Sequence, residues 1–170
     1  MASDDVPLDM DLESSNEGIV LRAVQNRIKN QPLTGIPSER VLVQSLAWMP
    51  DPNLVPPPYV IVSPAPETTP WNEGTNERDT VYFGIVVTVV LANQRNMEKG
   101  MGLQLYWRQI LRRAFQNKSI ATFTELQFND STTLERTAIE SGDKFIEAAK
   151  RDQRDAQYYL IRCKVREPRT

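Results

Sequence analysis

The chain has no histidine and a single cysteine, Cys163. Without histidine there is no Ser–His or Cys–His nucleophile pair, no imidazole general base and none of the common zinc sites. One thiol cannot close an internal disulfide, which excludes a stapled secreted scaffold. Excess charge of either sign is missing too: 20 Lys and Arg stand against 22 Asp and Glu, a formal net charge of -2. That balance excludes a broadly cationic nucleic-acid binder and leaves room for a local basic patch. Met1 is followed by Ala-Ser-Asp-Asp with no apolar h-region, so no signal peptide is expected.

Chemical motifs are equally scarce. KGMGLQLY, residues 99 to 106, has two close glycines but neither a third nor the lysine-then-hydroxyl ending of a phosphate loop, and reads as a loop-to-helix junction. Asn117-Lys118-Ser119 and Asn129-Asp130-Ser131 match glycosylation sequons, which carry little weight without secretion. Asp152 and Asp155 flank Arg154 at a spacing too generic for paired acid/base carboxylates; a solvated turn fits better. No metal-ligand cluster and no internal repeat is present, so the expectation is a protein that is not an enzyme and uses no cofactor.

What remains is an ordinary globular composition. With 170 residues, 40% hydrophobic and 25% charged, the chain suits one domain with a real core plus tails or long loops. Residues 1–17 carry six acids and no base, and read as a flexible acidic arm. The single domain is expected over 18–167, with 168–170 a C-terminal tail. A helix opens it: Ser15 or Asn16 as cap, Glu17 at its positive end, and Ile19, Ala23, Val24 and Ile28 at helical spacing.

Ten of the twelve prolines fall between Pro32 and Pro70. Within that passage VLVQSLAWM, residues 41–49, leans to a strand by its β-branched start, and YVIVS, residues 59–63, is a compact strand. PAPETTPWNEGTNERD follows, giving an extended loop over 66–79. A loop so long in a small domain is functional or disordered. Trp71 in its middle either folds back on its own domain or anchors the loop to a neighbouring subunit.

VYFGIVVTVVLA, residues 81–92, is the one long apolar run, broken only by Gly84 and Thr88. As a strand it spans roughly 40 Å at ~3.3 Å per residue. As a helix it covers only about 18 Å, too short for a bilayer, and its valines disfavour helix. No membrane role is expected. Val81, Phe83, Ile85, Val87, Val89 and Leu91 share one face; Tyr82, Val86, Thr88 and Val90 share the other. The second face, more mixed, is the one expected to meet a neighbouring subunit, a plain buried core strand being the simpler alternative.

Residues 97–117 read as the main helix, starting near Leu103 because Gly100 and Gly102 weaken its first turn. Met101, Leu105, Leu111, Ala114 and Phe115, with Trp107 and Ile110, form a broad apolar stripe. Arg108, Arg112, Arg113 and Lys118 make the other face basic, which the helix macrodipole favours. The same cations, interleaved with Tyr106 and Trp107, would let helix 103–118 serve a small nucleic-acid-binding module. TFTELQF, residues 122–128, reads as an edge or bulged strand, and a short helix is expected around 144–150. In QYYLIRCKVRE, residues 157–167, Tyr159, Ile161, Cys163 and Val165 fall on one face and Arg162, Lys164 and Arg166 on the other, as in an antiparallel strand with one buried side. The fold class is therefore α+β: a mostly antiparallel sheet with one or two packed helices and a long loop before a very long central strand.

PPPYVIVSPAPE before the long loop, then RDTVYFGIVVTVVLANQ, GLQLYWRQILRRAF and QYYLIRCKVRE, in that order, resemble the tail-terminator and head–tail joining (neck) proteins of tailed bacteriophages. The resemblance covers residues 18 to 167 and rests on element order and strand texture, since that family has no diagnostic catalytic or ligand motif. The acidic arm and residues 41–49 depart from it. It implies a structural virion protein of the tail or neck, assembled in the host cytoplasm. It also implies a ring, commonly hexameric, that caps the tail tube and joins it to the capsid connector. The partners would be further copies of the chain, the tail tube protein and neck or connector proteins, with a passing contact to genomic DNA in the lumen. The residues expected at subunit or partner interfaces are Trp71, Arg78, Tyr82, Thr88, Arg108, Arg112 and Arg113.

Overall fold

A computed structural model of the chain describes residues 11–44, 55–68, 78–92, 97–115, 127–128, 133–135 and 154–168. Its helices are α1 (Asn16–Lys29) and α2 (Met97–Phe115), with single 3-10 turns at Leu12–Ser14 and Ser38–Arg40. Its strands are β1 (Val41–Val43), β2 (Tyr59–Thr68), β3 (Arg78–Ala92), β4 (Gln127–Phe128), β5 (Thr133–Glu135) and β6 (Arg154–Pro168). They form one sheet in the order β1-β2-β3-β6-β4, with β5 also on β6. Every pairing is antiparallel except β1 with β2. The fold is α+β, as the element order implies.

β3 and β6 are the spine. They pair without a register shift from Arg78↔Pro168 to Ala92↔Arg154, a ribbon of 15 residues per strand. Period-2 alternation then sorts side chains between two faces. Val81, Phe83, Ile85, Val87, Val89 and Leu91 join Val60, Val62, Tyr159, Ile161, Cys163 and Val165 in the main core, closed by Val20, Leu21, Val24 and Ile28 of α1 and Trp107, Leu111, Ala114 and Phe115 of α2. On the opposite face Tyr59, Ile61, Val86 and Val90 form a second buried cluster, against which Val55, Ala65 and Leu160 pack. The two faces expected of β3 are those observed.

Polar contacts tie the helices to the sheet. Gln25 is buried and its Nε2 donates to the Val41 carbonyl at 2.7 Å, while its Oε1 accepts from Arg22 Nη1 at 2.7 Å, which joins α1 to β1. Trp107 Nε1 donates to the Thr34 carbonyl at 3.0 Å, joining α2 to the segment after α1. Gln157 Nε2 donates to Gln104 Oε1, and Tyr159 Oη donates to Gln157 Oε1, a chain that fixes α2 over β6. No helix among the described residues is long and apolar enough to cross a membrane.

Several expected boundaries move. The last part of the 1–17 arm belongs to the fold: Leu12 packs on the core, Glu13 pairs with Arg22 at 3.0 Å, and Ser15 Oγ caps α1 by accepting from the Gly18 amide at 3.0 Å. The extended loop expected over 66–79 loses both ends, because β2 continues through Pro64 and Pro66 to Thr68 with an irregularity after Ala65, and β3 begins at Arg78. Proline is tolerated there because β1 pairs with β2 only as far as Val62 among the described residues, so the lost donors lie on an edge. α2 starts at Met97 and not near Leu103, absorbing both glycines. Pro168, expected in the C-terminal tail, closes β6. Of 41–49 only Val41–Val43 is described as strand, and of 122–128 only Gln127–Phe128. The helix expected around 144–150 lies outside the described residues.

Candidate partner-docking face on helix α2

The phase of α2 is set by its largest buried side chain. Trp107 is buried, and Gly100, Leu111, Ala114 and Phe115 are buried with it. At 3.6 residues per turn positions 101, 105, 108 and 112 form one line along the helix on the flank of that stripe. Met101 and Leu105, read from sequence as part of the apolar stripe, are therefore outside it: they are 57% and 54% exposed. Tyr106, at 44% exposed, lies on a second exposed line with Arg113 two turns further on. Arg108, Arg112 and Arg113 are exposed and meet no carboxylate among the described residues. Beyond the exposed Glu98 and Lys99 of the first turn, the surface of α2 thus carries Met101, Leu105 and Tyr106 and then the cations Arg108, Arg112 and Arg113.

The sequence could have shown this. Gly100, Trp107, Leu111 and Ala114 recur at i, i+7, i+11 and i+14, and once the tryptophan fixes the phase, Met101 and Leu105 fall outside that stripe. Reading every large apolar residue as core hides the exposed large apolar side chains found among the described residues, Met101, Leu105 and Tyr106. Three large apolar side chains left in water on one helix are the kind of surface that marks a protein contact.

The remaining expected interface residues lie elsewhere. Tyr82 and Thr88 are on the second face of β3, opposite the helices. Tyr82 is half-buried, opposite Thr68 and Lys164. Thr88 is fully buried in the single chain, as are Val86 and Val90 on the same face. At Val86, Thr88 and Val90, where this face was expected to meet a neighbouring subunit, the single chain already buries the side chains, while Tyr82 keeps part of its surface exposed. Arg78 is the first residue of β3 and pairs with Pro168. Trp71 lies outside the described residues. Three candidates therefore come together on α2, while Tyr82 and Thr88 belong to the far side of the sheet.

The nucleic-acid reading loses half of its aromatic content, because Trp107 is buried with its indole donating to a carbonyl and presents no face to a base. Cys163 is buried and its thiol is pushed up to about 12 by desolvation, which suits a core residue and not a nucleophile. Among the described residues no group of His, Cys, Asp and Glu could hold a metal ion.

No protein-family model matches the chain, and no curated protein matches it. Among solved structures, a chain described as from the virion of a native gene transfer agent (GTA) particle is similar over 95% of this chain and 100% of its own length, with 11% identity and a TM-score of 0.45. A likeness this loose fixes no function.

Proposed function

We propose that the protein is a structural component of a phage-type virion that acts by assembly and not by catalysis. The observation that carries the reading is the outward face of α2, where Met101, Leu105 and Tyr106 are exposed beside Arg108, Arg112 and Arg113. Such a face needs a protein partner, and it stands on a rigid support, since α2 is anchored through Trp107 and Gln104. The order of elements, with its long central strand followed by a helix and a second long strand, supplies the class: it resembles tail-terminator and head–tail joining proteins.

In that reading six copies form a ring that caps the tail tube and meets the capsid connector, and DNA passes through the lumen. Trp71, and Arg78 at the start of β3, contact the tube or a neighbour. On the second face of β3, Thr88 is buried within the chain and Tyr82 is the residue left with surface for a contact. Replacing Leu105 and Arg112 together, Leu105→Ser with Arg112→Glu, tests the reading. Assembly measured by light scattering should fall while the far-UV circular dichroism and melting temperature of the monomer stay unchanged. Normal assembly of that variant would remove α2 from the contact. The nucleic-acid alternative keeps Tyr106 and the three arginines in its favour; it requires binding to single-stranded DNA that weakens steeply with salt, and undetectable binding at low salt dismisses it.

A further inference from the structure

We infer that in the free protein α2 pairs with α2 of a second copy of the chain, the two helices antiparallel about a two-fold axis at the level of Leu103. The inference rests on the assembly reading above and supplies the partner. Glu98, Met101, Leu105 and Arg108 follow one another at intervals of three, four and three residues, which sets them in one line along the helix. All four are exposed in the single chain. The line begins with an acid, ends with a base and carries two large apolar residues between them. Its spacing is the same read from either end, and its midpoint is the level of Leu103.

Such a line is complementary to its own reverse. With one copy turned end for end, its Met101 meets Leu105 of the other and its Glu98 meets Arg108, and each contact occurs twice, as in any isologous pair. The levels match along the axis, because Met101 and Leu105 each stand about 3 Å from the midpoint, and Glu98 and Arg108 about 7.5 Å. Sliding one copy by a turn brings Glu98 to Arg112 but sets Met101 against Gln109 and Arg108 against Gly102, so Met101 and Arg108 lose their counterparts. A parallel pair sets Glu98 against Glu98 and Arg108 against Arg108. In the antiparallel pair the helices overlap from Met97 to Gln109, about 18 Å. Arg112 and Arg113 fall beyond that overlap, where they do not confront the cations of the other copy and stay open to a further neighbour.

The occupant is a second copy because a helix cannot lay a face against itself, and because α2 itself carries the acid that answers Arg108. With α1 and the sheet in place the line is still exposed, so the described elements of the same chain do not fill it. Gly102 adds an independent sign. It lies between Glu98 and Leu105 on the helix surface, exposed, with nothing within 4 Å of an added Cβ. Glycine weakens an exposed helix, and here its missing side chain lets the second backbone come close. An overlap of this length makes a small interface, so the pair is reversible. It covers Met101 and Leu105 in the free protein and leaves the chain able to exchange this partner for others.

Charge exchange in the full-length protein tests it, with self-association followed by sedimentation velocity over a concentration series. Glu98→Arg alone and Arg108→Glu alone each turn attraction into repulsion at both ends of the pair, and each should raise the dissociation constant about tenfold. A variant carrying both changes restores an acid opposite a base at both ends, so its dissociation constant should return towards wild type. The two single variants mixed together should associate more tightly than either alone, because one supplies two bases and the other two acids. Wild-type association that none of the three variants alters places the contact away from this line and overturns the inference. If the double variant is as weak as the single ones, α2 meets a different surface: the pair falls and the assembly reading stands. If wild type is a monomer at every concentration, both fall.

Discussion

Gly18 is the third residue of α1, and glycine at a helical position ordinarily weakens the helix by about 1 kcal/mol relative to alanine. Here the sign reverses. A Cβ at position 18 would lie 1.6 Å from the Leu12 carbonyl oxygen and 2.6 Å from its carbon. Both are backbone atoms, so no side chain can swing aside, and the whole turn Leu12–Ser14 has to move. That movement removes the Ser15 cap on the Gly18 amide, worth about 1 kcal/mol. It also lifts Leu12 from the core, about 1 kcal/mol for a partly buried leucine, and frees the exposed Glu13–Arg22 pair, worth a few tenths of a kcal/mol at ~0.2–1. Against the gain in helix propensity, Gly18→Ala should destabilise by about 1–2 kcal/mol. Gly102 is the control: it is exposed on α2 and nothing lies within 4 Å of an added Cβ, so Gly102→Ala should stabilise by about 0.5–1 kcal/mol. Urea unfolding followed by circular dichroism, with slopes compared, measures both. If Gly18→Ala stabilises as much as Gly102→Ala, the turn does not pack against α1 and the N-terminal boundary of the fold is wrong.

Other perturbations have equally definite signs. Thr88 Oγ1 is buried with no protein partner, so Thr88→Val should raise stability by about 1 kcal/mol in urea and leave assembly unchanged; a loss of that size would mean the hydroxyl is satisfied. Trp107→Phe removes the bond to the Thr34 carbonyl and part of a buried ring, and should cost about 2–3 kcal/mol, with loss of the blue-shifted tryptophan emission as the spectroscopic check. Cys163 should resist thiol reagents until denaturant is added. Its folded thiol keeps its proton to about 12 while an unfolded thiol releases it near 9.0, so above that pH the folded state binds more protons and stability declines. The decline, up to about 1.4 kcal/mol per pH unit between the two values, should vanish in Cys163→Ala when denaturant midpoints are compared across pH.

The sheet was legible in the sequence where alternation alone decides the outcome. Every second residue from Val81 to Leu91 and from Tyr159 to Val165 sorts to the helix-covered face because a period of two leaves no other choice. Partnership was not legible: nothing in Val41–Val43 says that it pairs in parallel with Val60–Val62, since a strand's texture reports its faces and not its neighbour. The prolines at 64 and 66 were read as loop, whereas they lie within β2, past the last residue that pairs with β1 among the described residues. The acids of residues 11–17 hid a turn whose value is one cap and one ion pair, too local to leave a periodic trace. On the candidate site, the arginines of α2 were legible by charge, but Met101 and Leu105 were taken for core because their type, and not their phase against Trp107, decided the reading. Thr88 went the other way: it was read as an interface residue because it lies on the more mixed face of the long strand, and the chain buries it.

The central claim is that this chain works by associating with itself. The direct measurement is the mass of the full-length protein by light scattering from low to high concentration, with negative-stain images of the same samples. The account predicts rings of six chains of 19.4 kDa each, dissociating as salt rises because arginines of α2 contribute to the contact. A 19.4 kDa monomer at every concentration and salt, with no rings in the images, contradicts it.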